Sequence, residues 1–111
     1  MMIKAVIFDV GGVLLRTEDL AGRQKWEARF GMKDWELAEG TRLRKTIACK
    51  DFLGAVGLIQ RIAVVAEAED HHPDLHLTGY RRLTIELSTH AIGGLSENDF
   101  ILAAKIDQLL V

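Results

Sequence analysis

The chain has 111 residues, 49% of them apolar and 27% charged, which suits one globular domain with a modest core. Its net charge of −2 leaves no global electrostatic argument for nucleic-acid binding. A lone cysteine, Cys49, excludes an intrachain disulfide and the cysteine-based zinc spacings, and no apolar run approaches the ~20 residues needed to span a bilayer.

Met1-Met2-Ile3-Lys4 lacks the apolar stretch and cleavage site of a signal peptide, so a cytoplasmic location is expected. Lys4 to Val10 reads as a buried strand, with Ala5, Val6, Ile7 and Phe8 continuous and apolar, and Gly11-Gly12 breaks it. Asp19 to Phe30 has helical spacing and Gly31 fits its stop. Trp35 to Ala38 is a strand, Glu39-Gly40 a turn, and Leu43 to Cys49 alternates as the second arm of a hairpin. Cys49 falls in that alternation as a small hydrophobe.

Asp51 to Ala68 is the strongest helix, with a stripe of Phe52, Ala55, Val56, Ile59, Ile62, Ala63 and Ala66. Leu53, Leu58, Val64 and Val65 fall outside the stripe. That second apolar face is more than one sheet covers, so contact with another subunit is expected. After Pro73, Leu75 and Leu77 form one strand and Leu83 to His90 another, joined around Gly79. Ser96 and Asp99 match a helix-start box, and Leu102, Ile106 and Leu109 mark a last helix. The order is β-α-β-β-α-β-β-α, with an antiparallel sheet from the last four strands.

The polar residues of the second half form a frame: Glu67, His71-His72-Pro73, Tyr80, His90 and Asp99. Histidine exchanges protons near neutrality, so three in one frame suggest acid–base chemistry. His90 has the strand parity of Thr84, Glu86 and Ser88, opposite to Leu83, Ile85 and Leu87, and is expected to line a polar cleft. Zinc ligation by His71, His72, His76 and His90 is the rival, but adjacent histidines diverge, and no metal is expected. Asp99 reads first as a helix-start carboxylate, a role compatible with catalysis if the helix start walls the cleft. Glu67 is either a solvated charge or the group that orients a histidine. Tyr80 is read as a strand residue packing near the cleft.

Trp35-Glu36-Leu37, Leu43-Arg44-Lys45, Lys50-Asp51-Phe52, Ala66-Glu67, His71-His72-Pro73, Tyr80, Thr89-His90, Gly94-Leu95-Ser96 and Asp99 together resemble the pterin-4a-carbinolamine dehydratase family. The resemblance runs from about Glu27 to Val111. It implies an α+β fold, a four-stranded antiparallel sheet with three helices on one face, assembled as dimers or tetramers through the long helix 51–68. It implies loss of water from a 4a-hydroxytetrahydropterin, giving a quinonoid dihydropterin, with the pterin as substrate and no cofactor. It implies His71 and His90 as the acid–base pair and His72 as the residue that binds and orients the pterin. Pro73 and Trp35 would contact the ring, although Trp35 also fits a plain core position. Members of the family also act as dimerisation cofactors or assembly factors, the main alternative reading.

The first 31 residues depart from that pattern. Lys4 to Leu14 is similar to the opening motif of the haloacid dehalogenase superfamily, with Asp9 at the nucleophile and Gly11 where a second aspartate often stands. One strand and one helix cannot build a Rossmann-like sheet, so phosphoryl transfer on Asp9 is the weakest reading. Residues 1–31 are therefore expected to be a fragment whose strand has no assigned partner and whose helix stands in for the dehydratase's first. Residues 32–111 are expected to form the dehydratase-like domain.

Overall fold

Alternating apolar residues are only useful to a strand whose neighbours alternate in step, and the sheet shows that agreement. The computed structural model describes residues 34–110. Within them run β1 (Glu36–Ala38), β2 (Arg42–Ala48), α1 (Phe52–Glu69), β3 (Asp74–Thr78), β4 (Arg82–Leu87), a 3-10 turn (His90–Ile92) and α2 (Glu97–Leu109). This is the β-β-α-β-β-α order expected for that part of the chain. The expected strand at residues 5–10 and helix Asp19–Phe30 lie outside the described residues, which carry two long helices rather than three.

All strands pair antiparallel in the order β1-β2-β4-β3. Leu43 lies opposite Leu87, Ile47 opposite Leu83, Leu75 opposite Ile85 and Leu77 opposite Leu83. Opposed residues share a face, so these side chains form one apolar surface, and Leu43, Leu83, Ile85 and Leu87 are buried there. Both helices cover it: Leu58 and Ile62 of α1 and Phe100, Leu102, Ala103 and Ile106 of α2 join the same core. Each buried Leu, Ile or Phe of this set contributes about 1.5–3 kcal/mol by leaving water.

The opposite face is polar. Glu86 receives Arg44 Nε at 2.8 Å and Arg42 Nη1 at 3.2 Å across the sheet. The Arg44 hydrogen bond, seconded by Arg42, holds the Glu86 carboxyl below its usual range against the opposing pull of desolvation.

Asp51 starts α1 by accepting the Gly54 N–H at 2.7 Å. The buried line of α1 is Ala55, Leu58, Ile62 and Ala66. This corrects the expected stripe at Leu58 and Phe52, at Ala63, which is exposed, and at Val65, which is half-buried against the core. Leu58 lies inside it, because steps of three and four from Ala55 reach Leu58 and Ile62. Phe52 lies outside, more than half exposed, in the first turn. Leu53 and Val64 stay outside as expected, 79% and 71% exposed. Cys49, just past β2, is half-buried against the core.

Polar contacts tie the layers together. Trp35 Nε1 donates to the Asp107 carboxylate at 3.1 and 3.2 Å, and Lys45 Nζ reaches Asp107 at 2.6 Å while lying 5.7 Å from the Trp35 ring centre. Lys45 occupies the helix-facing parity of β2, and this pairing is what lets a cation sit there. Lys105 of α2 pairs with Glu69 at the end of α1.

Candidate active site

The end of α1 places two of the histidines. Asp70 takes a left-handed conformation (φ 52°, ψ 42°), and the N–H groups of Asp70 and His71 return to the carbonyls of Glu67 and Ala66. The chain therefore leaves the helix abruptly, and His71, His72 and Pro73 occupy the gap before β3. The register puts this gap beside the end of β4, with the start of β2 on the other side of it, since Asp74 faces Glu86 and Leu43 faces Leu87.

His71 turns inward. Its Nε2 lies 2.5 Å from Oδ1 of Asp99, whose side chain is fully buried. The other oxygen, Oδ2, accepts the Thr89 hydroxyl at 2.8 Å and the Ser96 N–H at 3.0 Å. Because the Thr89 proton goes to Asp99, the Ser96 hydroxyl donates to Thr89 Oγ1 at 2.7 Å. A buried carboxylate is costly unless donors surround it, and here three do. The helix-start role and the histidine contact of Asp99 thus use different oxygens of one group.

The electrostatics follow from this contact. The Asp99 hydrogen bond raises the His71 pKa above the ordinary imidazole value, desolvation opposes it, and the charges of Asp99 and Asp70 add to the rise. His71 is therefore biased toward imidazolium, a proton donor whose Nδ1 is not the nitrogen engaged by Asp99.

His72 turns outward. Its Nε2 lies 2.5 Å from Glu67 Oε2, one turn back on α1, and both side chains are exposed. Glu67 is thus a solvated charge that also lies within hydrogen-bond reach of a histidine, so neither of its two sequence readings is set aside.

His90 is placed differently from expectation. β4 ends at Leu87, where its pairing with β2 ends, and His90 opens the 3-10 turn. Strand parity does not reach it. Its position is set instead by Thr89, whose N–H donates to the Gly94 carbonyl at 2.7 Å and closes the turn. His90 is exposed and lines a cavity of about 210 Å³ with Thr41, Arg42, Ser88, Thr89, Gly93 and Gly94. His71 and His72 lie outside that wall, on the β3 side of Thr89. What joins His71 to His90 is the Asp99–Thr89 contact.

Two expected site residues lie elsewhere. Tyr80 is in the β3–β4 turn, with φ +56° beside Gly79 at the same angle, and is 62% exposed. The five residues of β3 separate it from Pro73, about 17 Å at strand rise, so it cannot pack near the histidines. Trp35 is 1% exposed, its ring in the core and its N–H on Asp107, and it presents no surface to a ligand. Pro73 lies between His72 and β3, half-buried. Thr89 and Ser96 are the polar residues of the network that the frame omits. Asp9 and the other residues of the dehalogenase-like segment lie outside the described residues.

An antiparallel sheet backed by helices thus carries at one end His71 on the buried Asp99 carboxylate, His72 turned outward onto Glu67, and His90 on the turn that follows Thr89, an α+β scaffold with three histidines on neighbouring segments. The family model for pterin 4 alpha carbinolamine dehydratase matches residues 16–109, and the chain belongs to that family. The match begins ahead of Asp19, so it takes in the expected helix Asp19–Phe30. The chain is 51% identical over 80 residues to pterin-4-alpha-carbinolamine dehydratase 2, mitochondrial, of Arabidopsis thaliana, covering 69% of this chain and 43% of that protein. It is 47% identical over 77 residues to a putative pterin-4-alpha-carbinolamine dehydratase of Nitrosomonas eutropha, covering 69% of this chain and 66% of that protein. The chain thus spans between two-fifths and two-thirds of the length of these relatives.

Among solved structures, a transcriptional coactivator/pterin dehydratase from Brucella melitensis superposes with a TM-score of 0.67 at 29% identity, over 79% of this chain and 94% of that one. A pterin dehydratase-like protein described as a RuBisCO assembly factor in the alpha-carboxysome shares the fold, with a TM-score of 0.54 at 20% identity over 70% of this chain and 88% of that one. No helix among the described residues is long and apolar enough to cross a membrane.

Proposed function

We propose that the chain is a hydro-lyase that removes water from a 4a-hydroxytetrahydropterin, such as 4a-hydroxytetrahydrobiopterin, to give the quinonoid dihydropterin. The observation that carries this is the buried Asp99 carboxylate, which holds His71 by one oxygen and the residue before His90 by the other. The names of the relatives support the substrate class.

The reaction breaks the C4a–O bond and forms a C4a=N5 double bond. One group takes the N5 proton and another protonates the departing hydroxyl, which leaves as water. His71, biased toward imidazolium, is the acid on the hydroxyl, and His90 is the base at N5. Each contributes about 10²–10⁴-fold. His72, oriented by Glu67, binds the pterin edge, with Pro73 as an apolar neighbour. The side chains proposed here supply the proton transfers without a metal or redox cofactor. Incubating the protein with a 4a-hydroxytetrahydropterin and following dehydration tests this directly. Turnover no faster than the uncatalysed rate rejects it.

The exposed apolar side of α1, with Phe52, Leu53 and Val64, supports a homodimer or homotetramer built through this helix. Leu53→Glu with Val64→Glu should then yield monomers by analytical ultracentrifugation. An unchanged mass removes α1 from the interface. The same surface favours the second reading, a non-catalytic dimerisation or assembly factor. Partner binding that survives the His71→Ala/His90→Ala double variant, in a protein without turnover, selects it.

A further inference from the structure

Asp99 can serve His71 only while its carboxylate plane stays aimed at the imidazole. A carboxylate turns about its Cβ–Cγ bond, and what stops it is the set of donors on the oxygen that does not face the histidine. There are two. The Ser96 N–H belongs to the helix's own capping box, and accompanies Asp99 wherever α2 begins this way. The Thr89 hydroxyl comes from outside α2, past the end of β4.

The backbone of the same threonine holds the His90 turn. Its N–H donates to the Gly94 carbonyl at 2.7 Å, and its carbonyl accepts the N–H groups of Ile92 at 3.2 Å and Gly94 at 3.4 Å. The Ser96 hydroxyl, at 2.7 Å, occupies a lone pair of Thr89 Oγ1 and directs the threonine proton to Asp99. One residue thus has its side chain on the carboxylate of His71 and its main chain around His90.

We propose that Thr89 is a positioning residue: its hydroxyl aims Asp99 at His71 and fixes to that carboxylate the turn that carries His90. The proposal rests on the acid–base reading above, but its contact is measurable without turnover. A purely structural threonine would lower stability when replaced and leave the His71–Asp99 hydrogen bond as it was. A positioning threonine would not. The acidic groups facing His71 are Asp99 from α2 and Asp70 from the end of α1, and Asp70 is left in place by the test.

The experiment is nuclear magnetic resonance on full-length protein carrying ¹⁵N-histidine, paired with the pH profile of kcat. In the wild type, the proton on His71 Nε2 should give a low-field resonance that exchanges slowly with solvent. Thr89→Val keeps the branched shape and removes the hydroxyl. It should shift that resonance, speed its exchange and lower kcat about tenfold while KM changes little, the loss expected for one hydrogen bond to a charged group. Thr89→Ser keeps the hydroxyl and should restore both signals. If valine prevents folding, Thr89→Ala serves as the second variant. A wild-type resonance in Thr89→Val overturns the proposal, and so does wild-type kcat. A wild-type protein that does not dehydrate the pterin instead rejects the proposed function, and the resonance still decides the Thr89 contact.

Discussion

Two neighbouring histidines meet carboxylates at the same distance in very different surroundings. The start of α2 gives His71 a fully buried partner, Asp99, and the end of α1 gives His72 an exposed one, Glu67. Both contacts measure 2.5 Å. Contact length therefore says little about what each pair does. Around Asp99 the polar network is closed by Thr89 and Ser96, so losing one member strands the others away from water. Around Glu67 water replaces whatever is removed, and the ion pair is worth little. The buried pair biases His71 toward its charged form, while the exposed pair stays open to solvent.

The contrast can be broken most sharply at the histidines themselves. His71→Ala and His90→Ala should each lower kcat by about 10²–10⁴-fold with KM nearly unchanged. His72→Ala should act mainly on KM. Steady-state kinetics that reverse this division refute the roles assigned to the two neighbours.

Next in size is Asp99→Asn. It removes the charge that favours the His71 imidazolium and leaves an amide among donors. Dehydration should fall about 10–100-fold, and unfolding by urea should show a loss of about 1–3 kcal/mol. Full activity at neutral pH would mean that the carboxylate acts only as a helix start.

A smaller effect follows from the direction of the His71 shift. Its folded-state pKa lies above its unfolded value, near 6.5, so its stabilising contribution is complete below about 6.5. That contribution is lost as pH rises through the raised folded value. The difference in urea midpoint between wild type and His71→Gln should therefore be largest near pH 6 and shrink toward pH 9. A difference that grows with pH would contradict the assigned partner.

Glu67→Gln is the smallest change. Stability should stay within about 0.5 kcal/mol, and KM should rise less than about fivefold, as expected for an exposed pair. A loss as large as that of Asp99→Asn would erase the distinction between the two regions.

Much of this was legible from one-dimensional patterns. Period-two alternation located β2, β3 and β4, helical spacing located α1 and α2, and Asp51 and Ser96 marked both helix starts. The proton-transfer reading came from residue types, because few side chains titrate near neutrality. Sequence pattern and structure part where distant partners decide. His90 has the parity of a continuing strand, but β4 stops where its pairing with β2 stops. Tyr80 is near the cleft histidines in sequence, but β3 runs away from His71 and His72 and carries it off. Trp35 could be ring contact or core, and Asp107, far away in the chain, made it core.

The local rules of spacing, capping and turn chemistry, which act over a few residues, were enough for the sequence alone to determine the order of the long helices and strands within residues 34–110 and name the titratable groups. Which oxygen of Asp99 serves His71, and that Thr89 takes the other, were decided only when β4, the His90 turn and α2 packed together. The physical reason is that hydrogen bonds between distant segments depend on burial and on orientation to a few tenths of an ångström, and neither is a property of neighbours in the chain.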